Sequence, residues 1–213
     1  METKYSNNEF EVGIDEAGRG PLIGRVYAGA VIWGNNTTIN PIIKDSKKLS
    51  KKKRAIALEW IKSNVKAWGV GYAEPDEIDK INILEATKLA MDRAIQNLIT
   101  NFNLNPNNIT LIIDGSGWEK KFDYNVKSFI KGDSKYYSIA AASILAKEHH
   151  DEYIKNLCSD LPDLNEKYSL LSNMGYGTAV HIAGLKTHGP CPYHRKSFKP
   201  ISEFIKNPKN LDL

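Results

Sequence analysis

The sequence predicts an α/β or α+β domain, a sheet flanked by helices, and two observations carry that expectation. Short β-branched or apolar runs alternate with longer segments of helical period. No repeat, low-complexity linker or composition break divides the 213 residues.

Residues 9–15, EFEVGID, read as a strand, and 26–33, VYAGAVIW, as a nearly continuous apolar run suited to a strand covered on both faces. A glycine-rich turn lies between them. A helix is expected over 50–65 with Ser50 as N-cap, then a short strand at 67–75 ended by proline. The segment from Pro75 to Thr100 reads as one helix. Proline suits its first turn, Asp76, Glu77 and Asp79 complement its positive end, and Ile81, Leu84, Met91, Ile95 and Leu98 share a face. Strands are expected at 109–114 and 126–133. A long helix begins near Ser138, and its small residues Ala140, Ala141, Ala142, Ser143 and Ala146 let it lie close to a sheet. The remaining 165–213 read as short helices and loops around a basic, His-containing segment.

Composition is that of an ordinary globular chain, 41% hydrophobic and 25% charged, with a formal net charge of +4. One domain over 1–213 is expected, with 165–213 as its helical, basic C-terminal part. Two cysteines imply no disulfide framework, and neither a signal-peptide core nor a membrane-length apolar run occurs. A cytoplasmic monomer without membrane contact is the expectation.

Three of the expected strand ends stop on acids: Asp15-Glu16, Asp114 and Asp133. If those strands are neighbours, four carboxylates meet at one rim of the sheet and repel one another unless a cation neutralises them. Oxygen-only ligands favour hard ions, Mg²⁺ or Mn²⁺, and a pair of such ions suits phosphodiester cleavage. The bland alternatives are a turn aspartate at Asp114 and a helix N-cap at Asp133. Spacing alone leaves the two readings near even. Asp151 stands 13 residues beyond Ser138. At about 1.5 Å per residue it lies about 20 Å along the helix and is ranked below Asp133.

In this order, GIDEAGRGPLIG, DSKKLS, IIDG, KGDSKYYSIAAASILAK, NMGYGT and HGPCPYHRKSF closely resemble the type 2 ribonucleases H, specifically bacterial ribonuclease HII, from about residue 11 to 198. The resemblance implies an RNase H-like fold, a mixed central sheet flanked by helices, with a small helical C-terminal extension. It implies endonucleolytic cleavage of RNA in RNA–DNA hybrids and on the 5′ side of single ribonucleotides in duplex DNA. It places the metal-binding and catalytic acids on Asp15, Glu16, Asp114 and Asp133, holding one or two Mn²⁺ or Mg²⁺ ions. Departures are Arg25 where proline is common, KEHHD in place of Val-Thr-Arg-Asp, and Met174 in place of a lysine.

The same resemblance assigns reading of the ribose 2′-hydroxyl to the turn Gly18, Arg19, Gly20, where glycines let backbone approach closely. It assigns stacking on the next deoxyribose to Tyr176. KDSKKLSKKKR (44–54) holds seven basic residues against one acid; such a run is most often a solvated helix face or loop, and beside a nucleic-acid cleft it would also grip phosphates in a salt-dependent way. Ser46 and Lys47 are the candidate contacts there, and His194, Arg195 and Ser197 are candidates in the C-terminal basic patch. His188, Cys191 and His194 have zinc-like spacing, but Pro190 and Pro192 extend the segment and Cys158 is remote in sequence. His149 and His150 read as exposed helix residues. A non-catalytic hybrid-binding protein of the same fold is the rival reading.

Overall fold

In the computed structural model, β1 (Glu11–Ala17), β2 (Val26–Ile32), β3 (Ala67–Ala73), β4 (Thr110–Asp114) and β5 (Asn125–Phe129) form one sheet in the order β3-β2-β1-β4-β5. β1 runs antiparallel to β2 and parallel to β4, and β4 runs parallel to β5, so the sheet is mixed. Residues 1–206 are described; the end of the expected domain, 207–213, lies outside the described residues. The chain gathers into two units. One comprises Met1–Ala17, Tyr27–Tyr72 and Thr87–Glu148, the other Gly18–Val26, Ala73–Ala86 and the chain from His149 onward.

In the first unit the sheet is covered on both faces, as the unbroken apolar run of β2 requires. Helix α1 (Lys51–Asn64) and the first part of α3 (Tyr137–Asp160) share a core with Val31, Trp33, Trp68 and Val70. The alternate residues of β3, Gly69 and Gly71, face Ala94 and Ala90 of α2 (Pro75–Phe102) on the other side. Ser50 caps α1 by accepting from the Lys53 amide, as its position foretells. The small residues of α3 bring its backbone against the sheet. A Cβ placed on Gly29 would overlap the Ala142 carbonyl, and one on Gly13 would overlap the Ser138 carbonyl carbon. Gly29 pairs with Asp15 across β1 and β2, so this close approach sits beside the acidic strand end.

Three elements differ from expectation. β1 extends through Ala17, so Asp15 and Glu16 lie inside the strand. α2 is broken at Asn82 (φ 68°, ψ 166°), whose side chain accepts from the Leu84 and Glu85 amides and caps a second segment. The single apolar face therefore fails at its start. Ile81 and Leu84 are 38% and 40% exposed, whereas Met91, Ile95 and Leu98 are fully buried. β5 stops at Phe129, and Asp133 lies beyond it in a 3₁₀ turn, Gly132–Ser134, entered through Lys131 at φ 57°.

The second unit is built on the remainder of α3 with α4 (Pro162–Tyr168), α5 (Leu170–Asn173), α6 (Ala179–His188) and α7 (Ile201–Lys206). Its core joins Leu22, Ile23, Ile154, Leu164, Tyr168, Leu170, Leu185 and Phe204. Ile23 bridges to His194, which sets the early glycine-rich segment against the late basic one.

Gly29→Ala is expected to destabilise the fold by about 1–3 kcal/mol, because α3 must shift to admit one methyl group. Urea unfolding measures it, and an unchanged midpoint would show that α3 does not lie this close.

Candidate active site

The acids converge through strand register. β1 and β4 pair Ile14 with Ile113, and one residue further the parallel register brings Asp15 alongside Asp114. Adjacent strands lie about 4.8 Å apart, with register partners on the same face. Asp114 in turn accepts a 2.7 Å bond from the Gly132 amide, which ties the turn carrying Asp133 to the end of β4. The left-handed Lys131 points that amide at Asp114 in place of a ladder partner. Asp15, Glu16, Asp114 and Asp133 are thereby gathered at one end of β1, β4 and β5.

Asp15 and Asp133 are each 6% exposed. Burial, then the charges of Glu16 and Asp114, push the Asp15 carboxyl well above its ordinary range. A hydrogen bond from Ser143 and one from the Glu16 amide, at 2.8 Å, oppose the shift. Burial also raises Asp133, with Asp45 and Asp114 adding to it and Lys47 opposing. Among the described residues no three His, Cys, Asp or Glu side chains close into a finished metal cage. The carboxylates are neighbours held by backbone, and negative charge is in excess.

Ser46 was expected at a phosphate. It is instead buried, 2.9 Å from Ser143 Oγ, because the 3₁₀ turn Ser46–Lys48, capped by Asp45, points it inward. It supports the serine that bonds Asp15. Lys47 is exposed and acts electrostatically on Asp133. Sequence reasoning missed Ser143 and Asp45, and the only signal for them was their place in motifs already singled out.

In the second unit, Gly18 holds φ 87°, and a Cβ there would stand 2.5 Å from His150 Cδ2. Arg19 and Gly20 are exposed, and Tyr176, 42% exposed, lies against Gly20, so two of the expected recognition groups do meet. Two of the three C-terminal candidates, Arg195 and His194, lie inside rather than at the surface. Arg195 is fully buried, and its guanidinium donates to the carbonyls of Gly18 (2.6 Å), Arg19 (3.0 Å), Gly24 (2.8 Å) and Arg25 (3.0 Å). Burial lowers it to about 10, so it remains a cation at neutral pH. It shapes the glycine turn from inside the unit. His194, 1% exposed, lies inside the same unit, whereas Ser197 is exposed and donates to Asp79. His150 is not an exposed helix residue either: it is buried, 3.1 Å from the Asp151 carboxylate.

Two outcomes follow. A carboxyl raised by folding costs nothing below its unfolded pKa of about 3.9, where both states are protonated; the cost grows as pH rises from there toward the folded value. In EDTA, the wild-type protein should therefore lose melting temperature over that rise relative to Asp15→Asn, and Mn²⁺ should restore it. Parallel pH profiles with and without the ion would contradict the electrostatic account. Arg195→Lys should cost about 2–4 kcal/mol, since an ammonium cannot fork to four carbonyls. It should also speed tryptic cleavage after Arg19, and unchanged proteolysis would show that the turn holds its shape without the guanidinium.

Comparison with known proteins agrees with this geometry. The family model described as Ribonuclease HII matches residues 12–201. A protein named Ribonuclease HII from Parabacteroides distasonis is 46% identical over 194 residues, covering 91% of this chain and 92% of the relative. The crystal structure of the ribonuclease H2 from Pyrococcus horikoshii OT3 matches with a TM-score of 0.70 at 25% identity, over 94% of this chain and 99% of that one. Bst-RNase HIII in complex with Mn²⁺ shares the fold, with a TM-score of 0.65 at 19% identity over 93% and 70% of the two chains. With its carboxylates set on the β1–β4–β5 rim of a mixed sheet, the chain belongs to the ribonuclease HII family.

Proposed function

We propose that this protein is a divalent-metal-dependent endonuclease. It hydrolyses the RNA strand of RNA–DNA hybrids and cuts on the 5′ side of single ribonucleotides embedded in duplex DNA, leaving 3′-hydroxyl and 5′-phosphate ends. The observation that carries the reading is the burial of Asp15 beside Asp114, with Glu16 and Asp133 close by. Like charges placed together out of water are disfavoured unless a cation sits among them. Nothing in the site favours the non-catalytic alternative, in which such a cluster would serve no purpose.

The donor set fits the ion. Asp15, Glu16, Asp114 and Asp133 offer only carboxylate oxygens, which suits Mg²⁺ or Mn²⁺. When bound, one or two such ions supply an activated water and neutralise charge on the transferring phosphoryl group. The protein's own groups do the rest. Ser143 keeps Asp15 oriented, and the Gly132 amide keeps Asp114 facing the turn of Asp133. Arg195 sets the peptide planes of the Gly18–Arg19–Gly20 turn, whose backbone reads a 2′-hydroxyl. The exposed Tyr176 ring beside Gly20 stacks on the sugar that follows. Lys47 and the lysines after it meet backbone phosphates. The working unit in this reading is a monomer acting in the cytoplasm.

A duplex carrying one embedded ribonucleotide, incubated with Mg²⁺ or Mn²⁺, should be cut once on the 5′ side of that nucleotide and left intact in EDTA. Asp15→Asn should reduce cleavage by more than about 100-fold, beyond the loss typical of a residue that merely supports a metal ligand. Duplex binding should be roughly retained. Full activity of Asp15→Asn, or cleavage in EDTA, would defeat the assignment.

A further inference from the structure

Two histidines that the mechanism does not use lie buried in the second unit. His181 on α6 and His194 are 0% and 1% exposed, with their Nε2 atoms 3.0 Å apart. The groups at either end of the pair fix where its protons are. The Cys191 amide donates to His194 Nδ1 at 2.9 Å, so that nitrogen carries no proton. A neutral His194 then carries its proton on Nε2 and donates it to His181 Nε2. His181 in turn carries its proton on Nδ1, where the acceptor is the Tyr176 carbonyl at 3.0 Å.

Burial lowers both rings, His194 to about 3, and the Tyr168 ring packs against each of them. Each ring nitrogen has a polar partner, and His194 Nδ1 lies 3.1 Å from the Cys191 sulfur as well as accepting from the Cys191 amide. The relay ends on a residue whose main chain is held from other sides as well. The Thr178 amide bonds the Tyr176 carbonyl at 2.8 Å, the Tyr176 amide bonds Asn173, and the preceding Gly175 carbonyl accepts from the Leu22 amide. The Tyr176 ring nevertheless projects outward against Gly20.

We propose that His181 and His194 are positioning residues for ribonucleotide recognition: their hydrogen-bonded relay fixes the Tyr176 main chain and so the placement of its ring beside the Gly20 turn. This rests on the reading of Tyr176 as a group that stacks on the substrate sugar. The relay reaches no reacting atom, and its effect belongs to substrate affinity.

The test is steady-state cleavage of a duplex with one embedded ribonucleotide. His181→Leu should raise KM about tenfold with kcat within about twofold, the signature of lost binding without lost chemistry. His181→Asn, whose amide nitrogen stands where Nδ1 stood, should recover most of that loss. In a Tyr176→Ala background, His181→Leu should add nothing further, because the group it positions is gone. An unchanged KM in His181→Leu, no recovery in His181→Asn, or losses that multiply with Tyr176→Ala would each overturn the relay. If Tyr176→Ala itself left KM unchanged, it is the stacking reading that would fall first. A measurement on the unmodified protein avoids any folding defect. Histidine ¹⁵N–¹H spectra at neutral pH should show His181 protonated on Nδ1 and His194 on Nε2. The opposite tautomers, or a doubly protonated ring, would refute the arrangement.

Discussion

The parallel pairing of β1 with β4 forces two aspartates side by side, and much of the first unit is arranged around that repulsion. Asp15 cannot leave, because its strand is locked between β2 and β4. Asp114 cannot turn away, because the Gly132 amide holds it. The sheet can present this edge only because α3 comes in close over Gly13 and Gly29, which brings Ser143 to Asp15 and Ser46 to Ser143. Backbone hydrogen bonds and close packing thus hold a charge arrangement that electrostatics alone would disperse. Stability is given up at one place in the sheet, which in the proposed reading assembles a cation's ligands in advance.

Much of this was legible in the sequence, for identifiable reasons. Strands and helices follow the alternation of short β-branched runs with periodic segments, and Ser50 announces the start of α1. Asp15 and Asp114 stand where apolar runs give out, whereas Asp133 lies beyond the end of β5 in a 3₁₀ turn. What was not legible is direction. Arg195, His194 and Ser46 look like surface polar residues in basic motifs, yet each points inward. Local sequence carries no mark of that, since the carbonyls that capture Arg195 belong to residues near the other end of the chain. The break in α2 had a signal: Asn82 stands three residues before Glu85, the spacing of a helix-capping box, and its side chain does cap the second segment. The apolar period running across it concealed the restart.

The two groups proposed for recognition in the second unit are held by different chemistry, suited to what each presents. The glycine turn has no side chains to pack, so a single buried guanidinium gathers four of its carbonyls from beneath. A planar fork is pre-organised for this, and a flexible ammonium is not. The tyrosine loop has a large ring to aim, and neutral donors and acceptors hold its main chain without placing a second charge in the same core.

The reach of Arg195 also has a consequence for biosynthesis. Its bond to Gly18 spans 177 positions of the chain. A ribosome releases the glycine turn 177 positions before the arginine. Until Arg195 emerges, therefore, the nascent polypeptide carries the glycine turn without the clamp that shapes it. The clamped shape of the turn is acquired only once Arg195 has emerged, and a product that stops short of that residue would lack it.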